Sequence, residues 1–359
     1  MLSTNNTAAM WKNGWVFALA VALLGLAQMS AEARPRPQQK QAPAQATQRT
    51  PATQPRRPAT PAKRPTVPAR PGEKLPEPEE IGGSVLRTQD GVSLSATFYP
   101  GTNEKESVPV LLLHNWKSSR KEFIVLAEEL QKKGCAVLVP DLRGHGASTK
   151  KVAVGRGRAR EDTIDASKFR TNDYTDIARY DMAALRSFLV KKNNEGELNL
   201  NKLVIVGSEM GAAVAMVWAA YDWTVPNYEH AGIKQGQDVK ALVLISPRWS
   251  YPGLDASKAL NARGVSPLRD RLSIMLLVGG EDSRTLRDVE RLESKLVLNR
   301  PQPDNLAERH VLLVPPFPTT LQAEKLLNFP RFNLPMFICK FIEDRVINDE
   351  PDAVWMKHR

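Results

Sequence analysis

Cysteine is nearly absent from this 359-residue chain; Cys135 and Cys339 are the only two. Two cysteines make no disulfide framework, so the fold must rest on a packed core. Cys135 opens the apolar run to Pro140 and Cys339 closes Met336–Ile338, so both read as buried small apolar residues. Histidine is also scarce, with five residues scattered along the chain. There is no metal cluster, no phosphate-cradling glycine loop and no dinucleotide fingerprint; Gly155–Arg158 carries glycine but follows no strand. No cofactor is therefore expected. Beyond the N-terminus no apolar stretch approaches the ~20 residues that span a bilayer. Acids are missing from 34–72 and aromatics from 34–80.

Those last absences place the charge. Residues 34–72 hold nine Lys or Arg, so the rest of the chain carries only two of the net eleven positive charges. The basicity belongs to a tail. Rich in Pro, Ala, Gln and Thr, the segment 34–80 cannot bury enough apolar area to offset its ordering entropy, and it reads as a disordered linker. Its plain role is a spacer; the sharper one is attachment to an anionic envelope surface through its cations. Nucleic acid is not expected, because no aromatic interleaves with the charges to stack on bases. Residues 1–33 read as a signal peptide. Lys12 precedes the apolar Trp15–Ala27, and Ala31-Glu32-Ala33 fits a small-residue cleavage site. Secretion, or retention in the periplasm or cell envelope, follows; an uncleaved N-terminal anchor is the alternative.

A folded domain is expected over 81–359, where the 42% hydrophobic content supports a sizeable core. Asp90-Gly91 between two β-prone runs signals a hairpin. Val108–Leu113, Cys135–Pro140, Leu203–Val206, Val239–Ser246, Leu272–Val278 and Arg309–Val314 read as buried strands. Helical patterns separate them at Glu122–Lys133, Tyr174–Lys192, Ala212–Trp218 and Thr285–Leu298, and Thr320 to about Asp344 is largely helical with breaks at Pro330 and Pro335. This alternation predicts an α/β fold with a mostly parallel, doubly wound sheet flanked by helices. Residues 149–173 read as a long polar surface insertion. Trp218, Tyr221 and Trp223 read as packing residues.

The centre of the pattern is Gly207-Ser208-Glu209-Met210-Gly211. A strand runs in and an apolar helix runs out, which is the form of a nucleophile elbow. Its glycines let the backbone crowd around a strained central residue. That central residue is Glu209. Ser208 stands one position early, and one step along a strand turns a side chain to the opposite face.

With His114-Asn115-Trp116, Asp141–Ser148 and Gly279–Asp282 in order around this elbow, residues 108–314 resemble the α/β-hydrolase superfamily, and within it the lysophospholipase and serine-aminopeptidase-like group. The resemblance implies an oxyanion loop at His114–Trp116, an acid at Asp282, a serine where Glu209 stands, and a base histidine after the last strand. The loop from Val314 to Thr320 has no histidine. Glu209 therefore has three readings: a carboxylate nucleophile, an inert plug whose carboxylate accepts the free N–H groups of the helix that follows, or a bystander in a hydrolase with relocated residues. The plug is preferred, since acyl transfer needs both an attacking group and a base. Asp282, without an imidazole to orient, reads as a solvent-facing loop carboxylate or as a helix N-cap for the segment from Thr285. Asn115, Trp116 and Met210 are expected to line a ligand crevice for a small molecule or protein. The chain thus reads as an exported pseudohydrolase serving as a binding or scaffold module; the alternative is an active exported esterase, lipase or peptidase.

Overall fold

The computed structural model describes residues 74–152, 161–227, 232–261, 267–298, 300, 302–348 and 353–359. The signal-like stretch and the tail up to residue 73 lie outside these. Eight strands form the main sheet: β1 (Glu79–Ile81), β2 (Ser95–Tyr99), β3 (Pro109–Leu113), β4 (Ala136–Asp141), β5 (Leu203–Ser208), β6 (Val239–Ile245), β7 (Ser273–Leu277) and β8 (Val311–Leu313). Their order across the sheet is β1-β2-β4-β3-β5-β6-β7-β8. From β4 to β8 neighbours are parallel, while β1 on β2 and β2 on β4 are antiparallel.

Burial on both faces explains the continuous apolar strands. Leu111 and Leu113 of β3 enter one core with Leu203 and Ile205 of β5, while Val110 and Leu112 enter the other with Val204 and Val206. The second face is covered by α1 (Ile124–Lys132), placing Leu126, Ala127 and Leu130 inward. The first face is covered by α2 (Met182–Glu195) and α3 (Met210–Asp222). Beyond them come α4 (Ser283–Leu296), α5 (Ala323–Leu327) and α6 (Leu334–Ile342). Pro335 opens α6 instead of breaking it, as proline does where its missing N–H is not needed.

The turn after β4 is tied by its own polar groups. Asp141 accepts from the backbone of Arg120 (2.9 Å) and Ala147 (3.0 Å), and Gly146 leaves room for that carboxylate. Arg143, almost fully buried, donates to Asp181 through Nε (2.8 Å) and to Asp90 through both terminal nitrogens (2.9 and 3.0 Å). Burial would raise the Asp90 carboxyl, but Arg143, Thr88 and Lys151 hold it down to about 2. Asp181, fully enclosed, is raised by burial despite the same arginine.

Four features differ from the sequence reading. The sheet starts at Glu79, inside the stretch assigned to the linker, and Pro76 O already accepts from Gln131 Nε2 (3.0 Å). The insertion carries two strands: Lys150–Val152 pairs antiparallel with Glu161–Thr163 and with Val92–Ser93. Its strands lack apolar alternation, so nothing in their composition announced them. Helix α4 begins at Ser283, two residues before the expected start. Lys357–His358 pairs in parallel with Ile233–Lys234, a small sheet at the end of the sequence that had no apolar signature. No helix of the described residues is long and apolar enough to cross a membrane.

Candidate functional site

Strands β3 and β5 are neighbours, yet the chain leaves β3 toward one sheet edge and β5 toward the other. The crevice at such a switch point is where open α/β sheets bind ligands. Asn115 follows β3 and Glu209 follows β5, so the fold brings together residues 94 apart in sequence. Glu209 has φ 41° and ψ −92°, a strained conformation for a residue with a side chain. Gly207 and Gly211 make it attainable. A Cβ on Gly211 would fall on the Leu113 carbonyl, and one on Gly207 would fall on the Gly211 carbonyl.

An acyl-transfer site needs two backbone donors for the oxyanion: the N–H after the elbow residue and one from the loop after β3. Here one amide oxygen takes both. Asn115 Oδ1 accepts from Trp116 N (2.7 Å) and Met210 N (3.2 Å). Asn115 Nδ2 donates to Glu209 Oε2 (2.8 Å). The amide orientation is chemically forced, since the reverse would set an NH2 group against two N–H donors. The Arg248 guanidinium reaches Glu209 Oε1 at 3.6 Å and Asp288 of α4 at 3.0 Å. Burial first, then Tyr174 and Glu209, raise the Tyr251 pKa well above the phenol range. The expectation that the Glu209 carboxylate itself takes the helix N–H groups is thus corrected. Asn115 fills the hole, and Glu209 holds Asn115 in place.

The loop after β8 brings a carboxylate, not an imidazole. Gln322 bonds the Gly279 carbonyl (2.8 Å) and accepts from Ser246 Oγ (2.6 Å), pinning the loop to the ends of β6 and β7. Glu324 Oε1 then accepts from Asn115 N (2.6 Å). Burial raises the Glu324 pKa, opposed by its hydrogen bonds. Sequence reasoning missed Glu324, Gln322 and Arg248, because nothing local distinguishes them from other loop and helix-end polar residues. Ser208 is fully buried, so it offers no accessible hydroxyl.

Other expected residues fall as follows. Asp282 caps α4, accepting from Arg284 N (3.1 Å), Thr285 N (3.4 Å) and Thr285 Oγ1 (2.8 Å). Its carboxyl is held below the usual range, first by the Thr285 hydroxyl. Among the described residues its partners are those of a helix cap, and no imidazole is among them. Trp116 is partly exposed and donates from Nε1 to Ala166 O (3.1 Å), which sets the insertion beside the site. Met210 was expected on the crevice wall; its side chain is buried in the core, and its backbone N–H is what faces the site. His145 Nδ1 lies 2.8 Å from the Arg143 carbonyl, and His358 pairs with Asp238 at 3.2 Å. His310 precedes β8, at the sheet end away from the elbow. His230 lies outside the described residues.

His114 is structural. Leu142 N donates to its Nε2 (3.0 Å), so Nδ1 carries the proton and donates to Asn115 O (2.7 Å). Burial, then neighbouring His145, push its pKa down from 6.5 to about 4. A lowered folded value means the unfolded chain takes the proton first. His114 should therefore be silent above pH 6.5 and destabilise the fold progressively from 6.5 to about 4, on the order of 3 kcal/mol. Urea midpoints of wild type and His114→Gln at pH 7 and pH 4.5 measure this. The pH-dependent loss should shrink by about 2 kcal/mol in the variant; an equal loss in both would place the acid sensitivity elsewhere.

A separate groove of about 700 Å³ lies away from the elbow, between α2 and α3. The tilted Trp218–Tyr221 pair lines it (centroids 5.4 Å apart), with Arg179, Arg186 and Arg359. Trp218 is buried and Trp223 Nε1 donates to Val239 O (2.9 Å), as packing residues do. Among the described residues no group of three or more His, Cys, Asp or Glu could hold a metal ion.

A family model described as alpha/beta hydrolase fold matches residues 108–265. The sn-1-specific diacylglycerol lipase ABHD11 of Danio rerio is 28% identical over 142 residues, 39% of this chain and 35% of that protein. The chain thus spans about a third of the length of this curated relative. Among solved structures, a Pyrococcus furiosus esterase matches with TM-score 0.48 and 16% identity, over 75% of this chain and 91% of its own. Thermogutta terrifontis esterase 2, phosphorylated by paraoxon, matches with TM-score 0.50 and 13% identity, over 77% and 96%. At 13% identity the likeness to the Thermogutta terrifontis esterase speaks to the fold alone.

Proposed function

The chain belongs to the α/β-hydrolase superfamily, and from that premise we propose that it is a pseudohydrolase, an exported binding or scaffold module at the cell envelope. One observation carries the reading. Asn115 Oδ1 occupies both backbone donors that an oxyanion would need, and Glu209, at the nucleophile position, clamps that amide. A tetrahedral intermediate would have to displace a neutral acceptor already bonded at 2.7 and 3.2 Å. The central position of the elbow carries Glu209 instead of a serine, and the loop after β8 delivers Glu324 in place of a histidine. Losing one oxyanion donor alone typically slows acyl transfer about 100- to 1,000-fold. Losing the nucleophile and base as well removes the covalent route.

Retained binding is supported by the half-exposed ring of Trp116 and the charged pair Glu209–Arg248 at the sheet switch point. A small polar molecule or a protein loop is the ligand class proposed there. Export rests on the signal-like residues 1–33, and attachment to an anionic surface on the nine cations of 34–72.

The test is Glu209→Ser. Purified wild type and the variant are assayed with chromogenic acyl esters and aminoacyl substrates, and probed with a fluorophosphonate. Both should stay at the uncatalysed background and neither should label. Robust turnover by the single variant, or by wild type, would mean that a working base and oxyanion site exist, and the reading would fall.

A further inference from the structure

The segment Ala353–Arg359 is held in an unusual way. Four asparagine side chains grip its carbonyls: Asn199 Nδ2 donates to Ala353 O (2.8 Å), Asn201 Nδ2 to Val354 O (2.5 Å), Asn193 Nδ2 to Met356 O (2.8 Å) and Asn194 Nδ2 to His358 O (2.8 Å). Asn194 Oδ1 accepts from His358 N (2.9 Å). Lys357–His358 adds a parallel strand to Ile233–Lys234, and Arg359 N donates to Lys234 O (2.9 Å). Two side chains of the segment are read specifically. His358 Nε2 meets Asp238 Oδ1 at 3.2 Å, both fully enclosed, and the Trp355 ring lies under Lys105 Nζ at 4.1 Å.

Nearly all of this is polar and aimed at backbone. Val354 is 68% exposed, so the segment contributes little to the main cores. The receptor, by contrast, is built into the domain. Its residues lie on the domain's own elements, Asn193 on α2 and Asn199 and Asn201 just before β5; with the segment in place Asn193, Asn199, Asn201, Lys234 and Asp238 are all buried, and Arg186 holds Asp238 through a 2.8 Å bond from Nε. Buried amides without acceptors are costly, so this receptor favours being filled. Adding a strand while side-chain amides take the carbonyls is how extended peptides are recognised.

We infer that Asn193, Asn194, Asn199, Asn201, Ile233–Lys234 and Asp238 form a separable peptide-binding groove for an extended chain of the 353–359 type. The chain fills it with its own segment.

The experiment keeps the whole chain. Residues 349–352 are replaced by a specific protease site, the folded protein is cut, and a fluorescein-labelled peptide of sequence 353–359 is titrated in. Saturable binding is expected, with competition by unlabelled peptide. A peptide carrying His358→Ala should bind about tenfold more weakly, and a scrambled peptide should not compete. Intact protein should show no binding at the same concentrations. No saturable binding to the cut, folded protein overturns the inference, and so does equal binding of the scrambled peptide. Global unfolding on cleavage, read by circular dichroism, also overturns it, because the segment would then be integral to the fold.

Discussion

Gly211→Ala should destabilise the protein by about 3 kcal/mol, although alanine is the better helix former by about 1 kcal/mol. The reason is steric and local. Gly211 is the second residue of α3, where the helix crosses the end of β3. Its added Cβ would fall on the Leu113 carbonyl oxygen, with the Leu113 carbonyl carbon and the His114 carbonyl also inside contact distance. All three are backbone atoms of a buried strand end, so no side chain can swing away. Relief would require α3 to move off the sheet, which would open the Asn115–Met210 bond as well. Gly82→Ala is the control: its Cβ would meet Ser95 at 3.5 Å, an ordinary contact, and the change should stay within about 0.5 kcal/mol. Chemical denaturation of the two variants beside wild type gives both numbers. A loss under about 1 kcal/mol for Gly211→Ala would mean that the elbow is not tightly packed against β3.

Arg143→Met should cost about 3 to 5 kcal/mol. The methionine can fill much of the space, so the loss would not be a cavity effect. It would come from Asp181, which is fully buried and bonded to Arg143 through side chain and backbone. Without the guanidinium its charge has no counterion in the core. Burial already raises the Asp181 carboxyl, and the variant would raise it further. A group whose folded pKa is raised is stabilised by protonation, so the penalty should be full near neutrality and shrink as pH falls toward the carboxylate range. Asp90 behaves oppositely. Its lowered value, about 2 against 3.8, stabilises wild type above pH 3.8 and is lost below it. Thermal melts at pH 7 and pH 5 would show the gap between variant and wild type narrowing. A constant gap would assign the loss to packing instead.

The strands of the sheet were legible because both of its faces are covered. Val108–Leu113 and Leu203–Val206 announce themselves as unbroken apolar runs, and the structure distributes alternate residues to the two cores. The elbow was legible for a similar reason: glycines four apart, between a strand and a helix, have few other uses. What filled the site was not. That Asn115 would turn its amide oxygen onto Met210 N depends on two loops meeting across the sheet. Glu324 gave no signal, because its role arises from Gln322 and Ser246 fixing the loop, with Ala323 and Ser246 at positive φ. The paired strands Lys150–Val152 and Glu161–Thr163 and the strand at 357–358 are mostly polar elements held by backbone and side-chain amides, and hydrophobic periodicity cannot report them.

The margins of the main sheet have their own consequence. At one edge β1 is three residues long and begins with Glu79 and Glu80; at the other, β8 is also three residues long. Borders this short give an incoming strand few consecutive backbone groups to template on, and β1 adds two carboxylates. Lateral addition of a strand is therefore disfavoured at both ends of the sheet, and the long apolar interior strands stay shielded from edge-to-edge pairing.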